Sequence, residues 1–294
     1  MRLESDVKLS KFTTLGTGGP AKWFACPEDV AELSELVVWA HENEIPVAPV
    51  GLGSNLLVAD EGFPGLVVKL RGVLAAVKVG EERLIAGGGA PLAVCLHRAR
   101  AAGLGGIEFV CAIPGTVGGG VWMNAGAYEG DVASVLVRAY IVDESGAHWL
   151  TPEELGLRYR RSDLVRGQIV AGAEFRLAPS PPEEIKASVG KMQSRRKDAQ
   201  PTNKRTFGSV FKNPDHELSA GRMLEACDLK GHRIGGAQIS PKHANFIENA
   251  GGASSADALA LIGEARRRAH EQFGVRLEPE VQLLGEIEIP APSE

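Results

Sequence analysis

The chain has 294 residues, 44% of them hydrophobic, and a formal charge of −5. That balance excludes a disordered polymer, and the lack of a Gly-X-Y period excludes collagen, although 36 residues are glycine. The length predicts two domains, each large enough for its own core. The start, Met1-Arg2-Leu3-Glu4-Ser5-Asp6, lacks the basic patch and apolar run of a secretory leader. Residues 27–43 read as a helix, with apolar positions at Val30, Leu33, Leu36, Val37 and Ala40. Short strands follow at 47–50, 56–58 and 65–70, then a hairpin of 73–79 with 83–86. A helix is expected over 92–102, a second hairpin over 135–143 and 147–150, and a strand over 169–177.

Ala178-Pro179-Ser180-Pro181-Pro182 stops helix and sheet alike, so a domain boundary is expected at 180, dividing the chain into 1–180 and 181–294. Beyond it come a basic helix (183–197), short strands and a long helix, Ser255–Phe273, whose acidic start and basic end suit the helix dipole. The fold class is α+β. Residues 186–212 hold eight basic residues and one acid, which suits a small anionic ligand. Nucleic acid is not expected, because the segment lacks interleaved aromatics and the chain is acidic overall.

The four cysteines (26, 95, 111 and 227) are widely spaced and read as reduced thiols. The histidines form no HExxH pattern, so no metal is expected. With no apolar run of about 18 residues, no membrane span is expected either, and a cytoplasmic protein follows.

Two glycine clusters carry the chemistry. In Gly51-Leu52-Gly53-Ser54-Asn55-Leu56-Leu57-Val58, a glycine turn joins two apolar runs, and such turns can aim successive N–H groups at phosphate oxygens. Nine glycines fall between Gly103 and Gly130, around Ile113-Pro114-Gly115-Thr116-Val117-Gly118-Gly119 and Met123-Asn124-Ala125-Gly126-Ala127-Tyr128. Ordering so many glycines is entropically costly, which is most easily explained by a ligand lying along exposed backbone donors.

Those motifs resemble the UDP-N-acetylenolpyruvoylglucosamine reductase (MurB) family of the PCMH-type FAD-binding superfamily. The resemblance continues through Tyr159-Arg160-Arg161-Ser162, residues 208–214, Leu229-Lys230-Gly231, Lys242-His243-Ala244-Asn245-Phe246 and Leu277-Glu278-Pro279-Glu280-Val281, covering nearly the whole chain. The form is that of the shorter class, without the tyrosine loop. The resemblance implies a two-subdomain PCMH-type fold followed by a smaller α+β substrate-binding domain. It also implies non-covalent FAD, although Cys111 stands where a smaller residue is expected, and NADPH as co-substrate. FAD would lie on Gly51, Gly53, Ser54, Asn55, Leu56, Ile113, Pro114, Gly115, Thr116, Gly118 and Gly119, with Asn124 and Gly126 nearer the flavin.

The reaction so implied adds hydride to C3 of an enolpyruvyl group and leaves charge at C2, shared with the carboxylate as an enediolate. Arg160 would bind that carboxylate, Glu280 would sit beside it, and Ser209 would protonate C2. Tyr159, Arg195, Lys212, Asn213 and His243 would bind the UDP-sugar, with Arg196 and residues 200–201 near its diphosphate. A small-molecule enzyme is expected, monomeric, with no nucleic-acid or membrane partner. The alternatives are another PCMH-type flavin oxidoreductase or oxidase, and a non-catalytic flavin- or nucleotide-sugar-binding module; neither needs Arg160, Ser209 and Glu280 together.

Overall fold

The computed structural model describes residues 2–290. Its helices are α1 (Val30–Glu42), α2 (Leu92–Ala101), α3 (Val117–Trp122), α4 (Pro182–Ala199), α5 (Ala220–Ala226) and α6 (Ser255–Phe273). The chain forms two compact units. Among the described residues, the first holds 2–5, 23–52 and 64–196; the second holds 6–22, 53–63 and 197–290.

In the first unit a five-stranded antiparallel sheet runs in the order Gly146–Leu150, Leu136–Asp143, Ile169–Arg176, Arg83–Gly87 and Val77–Val79. Its inner face joins α2 and α3 in one core that includes Leu84, Leu92, Val117, Val121, Ile141 and Phe175. A second core gathers Leu33, Leu36, Val37 and Ala40 of α1 on Leu66 and Val68. The apolar spacing in the sequence sets that helix face, and Asp29 caps it by accepting from the Glu32 amide. Strand Phe63–Val68 is buried almost throughout and pairs parallel with Val47–Pro49.

The proline run is no linker. Ala178 and Pro179 pair with Gly105 and Leu104, and Ser180 donates to the Gly103 carbonyl. Ile185 and Val189 of α4 then bury themselves in the first core. The boundary expected at 180 therefore moves to 196, because a proline can accept a strand partner through its carbonyl and apolar residues beyond it hold the helix down.

The second unit is built on a four-stranded sheet ordered Thr206–Ser209, Phe246–Asn249, Ala237–Ile239 and Arg233–Ile234. α5 and α6 bury Met223, Leu224, Leu261 and Ile262 in its core, together with Leu15 and Leu57 from the N-terminal segments. α6 spans the expected residues. Ser254 and Asp257 form a capping box at its start, and Gly274 ends it in the left-handed conformation at φ 68°. Asp60 adds a second cap, its two carboxylate oxygens accepting from the Ser255 and Ala256 amides at 2.9 Å each. Strand Leu56–Val58 pairs parallel with Gln282–Leu284. These ties make residues 6–22 and 53–63 part of the second unit, against the contiguous division expected.

Candidate functional site

In the first unit, Gly51 follows strand Val47–Pro49 at the carboxyl end of a parallel pair, where α/β folds commonly hold ligands. A Cβ added to Gly51 would lie 2.6 Å from Oγ1 of Thr116, so only glycine allows the two glycine loops to meet. Leu92 donates to the Gly115 carbonyl and Val117 to that of Ala90, so Thr116 is fixed with its own N–H turned away from residues 90–92. Among the described residues, the N–H groups of Leu52, Gly115 and Thr116 meet no hydrogen-bond acceptor. They are the donors a pyrophosphate would need.

Other expected cofactor contacts are otherwise engaged. Gly118 donates to the Gly88 carbonyl at 2.7 Å, Gly119 faces Thr116 Oγ1 at 3.5 Å, and Ile113 bonds within its own turn. Pro114 is exposed at the mouth of this loop. Asn124 is 3% exposed at φ 39°; its amide donates to Asp131 and to the Arg158 carbonyl, and its oxygen accepts from Ala133. Its side chain is thus a structural tie. Gly126 instead offers its carbonyl to Arg160, whose Nη2 lies 2.5 Å away.

Arg160 sits at φ 54° in a tight hairpin closed by Arg158 and Arg161. Three ties fasten that hairpin to residues 122–126: Ser162 to the Trp122 carbonyl, Asn124 to that of Arg158, and Arg160 to that of Gly126. The Tyr159 ring lies 5.0 Å beneath the Arg160 guanidinium, a cation–π contact that uses the ring for support. Arg195 is exposed on α4. Cys111 lies 3.9 Å from the Met192 sulfur; burial pushes its thiol pKa up, with Glu108 adding to the rise and Arg196 opposing it, which leaves a poor nucleophile at neutral pH.

The second unit gathers the remaining residues. Gly53 fits because a Cβ there would stand 1.9 Å from the Phe12 carbonyl, so this glycine serves packing as much as any anion. Ser54 and Asn55 follow, and Asn55 donates to the Glu280 carbonyl; Leu56 enters the parallel strand pair. Ser209 ends strand Thr206–Ser209, and the next residue, Val210, accepts from the Glu280 amide at 2.8 Å. Phe211 is bridged to Pro279, and the buried Asn245 clamps Phe211 through both its amide and its carbonyl. Ser209 and Glu280 are thereby brought onto adjacent backbone, and the Ser209 hydroxyl has no hydrogen-bond partner among the described residues.

Lys212 is less available than expected, since it is mostly buried and paired with Glu278 at 2.5 Å. Asn213 accepts from the Ala220 amide. Burial holds His243 below the usual histidine pKa; its Nδ1 accepts from the Asn245 amide, which leaves a neutral ring with the proton on Nε2. It can donate a hydrogen bond but brings no charge to a diphosphate. Reasoning from sequence missed Lys69, which follows an apolar run with nothing local to mark its partner, and it quoted Asn245 within a motif without a role.

Family models match both parts of the chain: an FAD binding domain over residues 21–151 and the C-terminal domain of UDP-N-acetylenolpyruvoylglucosamine reductase over 200–284. A relative from Symbiobacterium thermophilum, UDP-N-acetylenolpyruvoylglucosamine reductase 2, is 42% identical over 97% of this chain and 92% of its own. The chain belongs to the UDP-N-acetylenolpyruvoylglucosamine reductase (MurB) family. The Novosphingobium aromaticivorans reductase is 43% identical over 97% of this chain and 96% of its own. The crystal structure of MurB from Thermus caldophilus superposes with a TM-score of 0.85 at 38% identity, covering 97% of this chain and 99% of that one. The α+β, PCMH-type architecture and the FAD cofactor follow from that membership. The open N–H groups beside the Gly51–Thr116 contact fit such a cofactor. Among the described residues no group of His, Cys, Asp and Glu could hold a metal, and no helix is long and apolar enough to cross a membrane.

Proposed function

We infer that this MurB-family chain is an FAD-dependent oxidoreductase that uses NADPH to reduce UDP-N-acetylglucosamine enolpyruvate to UDP-N-acetylmuramate, a precursor of peptidoglycan. FAD, held on the loops of Gly51 and Thr116, would supply the hydride added to C3 of the enolpyruvyl group. The rest of the chemistry falls to side chains. Arg160 presents a planar guanidinium, suited to bind the substrate carboxylate through two parallel hydrogen bonds. Glu280, beside that carboxylate, serves in its protonated or hydrogen-bonded form, since two bare carboxylates repel. Ser209 delivers a proton to C2; a serine hydroxyl is a weak acid, adequate here because the enediolate carbon is strongly basic.

The observation that carries this reading is the backbone pairing of Val210 with Glu280, which joins the candidate proton donor and acid from distant stretches of sequence. Substrate contacts are assigned to Tyr159, Arg195, Lys212, Asn213 and His243; Lys212 and Asn213 would have to exchange internal partners for substrate oxygens. The reading carries with it a cytoplasmic, monomeric enzyme acting on dissolved UDP-sugar. Ser209→Ala tests it: NADPH should still bleach the flavin at the parent rate, while turnover of the enolpyruvyl substrate falls by at least a hundredfold. Turnover at the parent rate would remove Ser209 from the mechanism.

A further inference from the structure

We propose that Lys69 is a positioning residue for the cofactor's pyrophosphate, acting from behind the first glycine loop by holding the Gly51 carbonyl. The proposal rests on the reading that FAD lies on this loop.

Strand Phe63–Val68 runs parallel to Val47–Pro49, and Val50 extends the pairing by donating to the Val68 carbonyl at 2.8 Å. The next residue on each side is then Gly51 and Lys69. The Lys69 amide is tied to the Ala25 carbonyl at 2.9 Å, which fixes the origin of its side chain. Its half-buried Nζ donates to the Gly51 carbonyl at 2.8 Å.

A trans peptide sets its C=O and N–H in opposite directions. With the Gly51 oxygen drawn toward Lys69, the Leu52 N–H is turned to the other side of the loop. That N–H has no acceptor among the described residues. Thr116, packed on Gly51, has its own N–H likewise open. One ammonium therefore orients a donor that would otherwise swing with the peptide, and it adds a positive charge behind a site for a dianion. Partial burial strengthens both effects by lowering the local dielectric.

The test compares FAD affinity of apoprotein variants by quenching of flavin fluorescence on reconstitution. Lys69→Met should weaken FAD binding by tenfold or more with the fold intact by circular dichroism. Gly51→Val, which collides with Thr116, serves as the reference for the loop. Loss of FAD binding in Gly51→Val with parent-like affinity in Lys69→Met overturns the role of Lys69 alone. Parent-like affinity in both overturns the assignment of FAD to this loop as well. If Lys69→Met does not fold, amide exchange at Leu52 in the parent protein decides: slowing on addition of FAD supports the proposal, and unchanged exchange overturns it.

Discussion

Asn55 donates from Nδ2 to the carbonyl oxygen of Glu280 over 3.0 Å, and its own carbonyl accepts from the Gln282 amide over 3.0 Å. A residue of the first glycine motif thus braces the candidate acid from behind, through backbone. Asn55→Ala removes one partly buried hydrogen bond, a loss of about 1 kcal/mol in unfolding free energy. The freed Glu280 segment should also cost turnover, by roughly tenfold if the carboxyl shifts by a fraction of an ångström. Urea denaturation and steady-state kinetics together check this. Parent values in both would show that the brace is idle.

Asp60 ties residues 53–63 to the start of α6, with a carboxylate at the positive end of a 19-residue helix. Asp60→Ala should cost about 1–2 kcal/mol, since two amides lose their acceptor and the helix its favourable charge. Asp60→Asn, which keeps one acceptor, should cost less. Urea midpoints of the three proteins give the order; equal midpoints would mean that the Ser254–Asp257 box caps α6 alone.

How much of this was legible in the sequence depends on the range of the forces involved. α6 could be read to its last residue because its signals are local: an early Asp257, late arginines and Gly274. Asp60 lies 195 residues from Ser255, and no local pattern announces that a loop aspartate will cap a distant helix. The same blindness misplaced the domain boundary. The glycine run from 103 to 130 was legible as unusual but its cause was only half read. Ile107, Phe109, Val117 and Val121 make it part of the core, and the N–H groups of Val117 and Gly118 are spent on residues 88–90. Motif order singled out Arg160, Ser209 and Glu280 as candidates; it could not say which way Asn124 or Lys212 would point.

Glu264 offers a pH test. It accepts hydrogen bonds from Arg267 at 2.8 Å and Arg268 at 2.6 Å on α6, and these arginines, Arg267 foremost, hold its pKa at about 2 against partial desolvation. A depressed carboxyl pKa stabilises the folded state above the unfolded value of about 4.3 and loses that contribution as pH falls toward the folded value. Solvent screening limits the gain to about 1 kcal/mol. Glu264→Gln should therefore be less stable than the parent at pH 6, with the gap narrowing below about pH 4.3. A gap that stays constant down to pH 3 would count against the linkage.

The hairpin bearing Arg160 gives the sharpest separation of positioning from binding. Asn124 donates to the Arg158 carbonyl at 3.1 Å and, through Asp131 and Ala133, anchors the hairpin to the loop that follows α3. Asn124→Ala leaves the part-buried Ala133 amide and the Arg158 carbonyl without partners, a cost of about 2 kcal/mol. Arg160→Lys gives up the tie to the Gly126 carbonyl and substitutes a point charge for a planar fork, and should lose most activity for a stability loss of at most about 1 kcal/mol. The two variants should then share a kinetic signature: near-parent flavin reduction by NADPH, and slow oxidation of reduced enzyme by the enolpyruvyl substrate. They should differ in urea midpoint, which falls further for Asn124→Ala. Stopped-flow measurement of the two half-reactions separates the outcomes. If Asn124→Ala slows the NADPH half-reaction instead, its role lies with the flavin, and the hairpin does not depend on it.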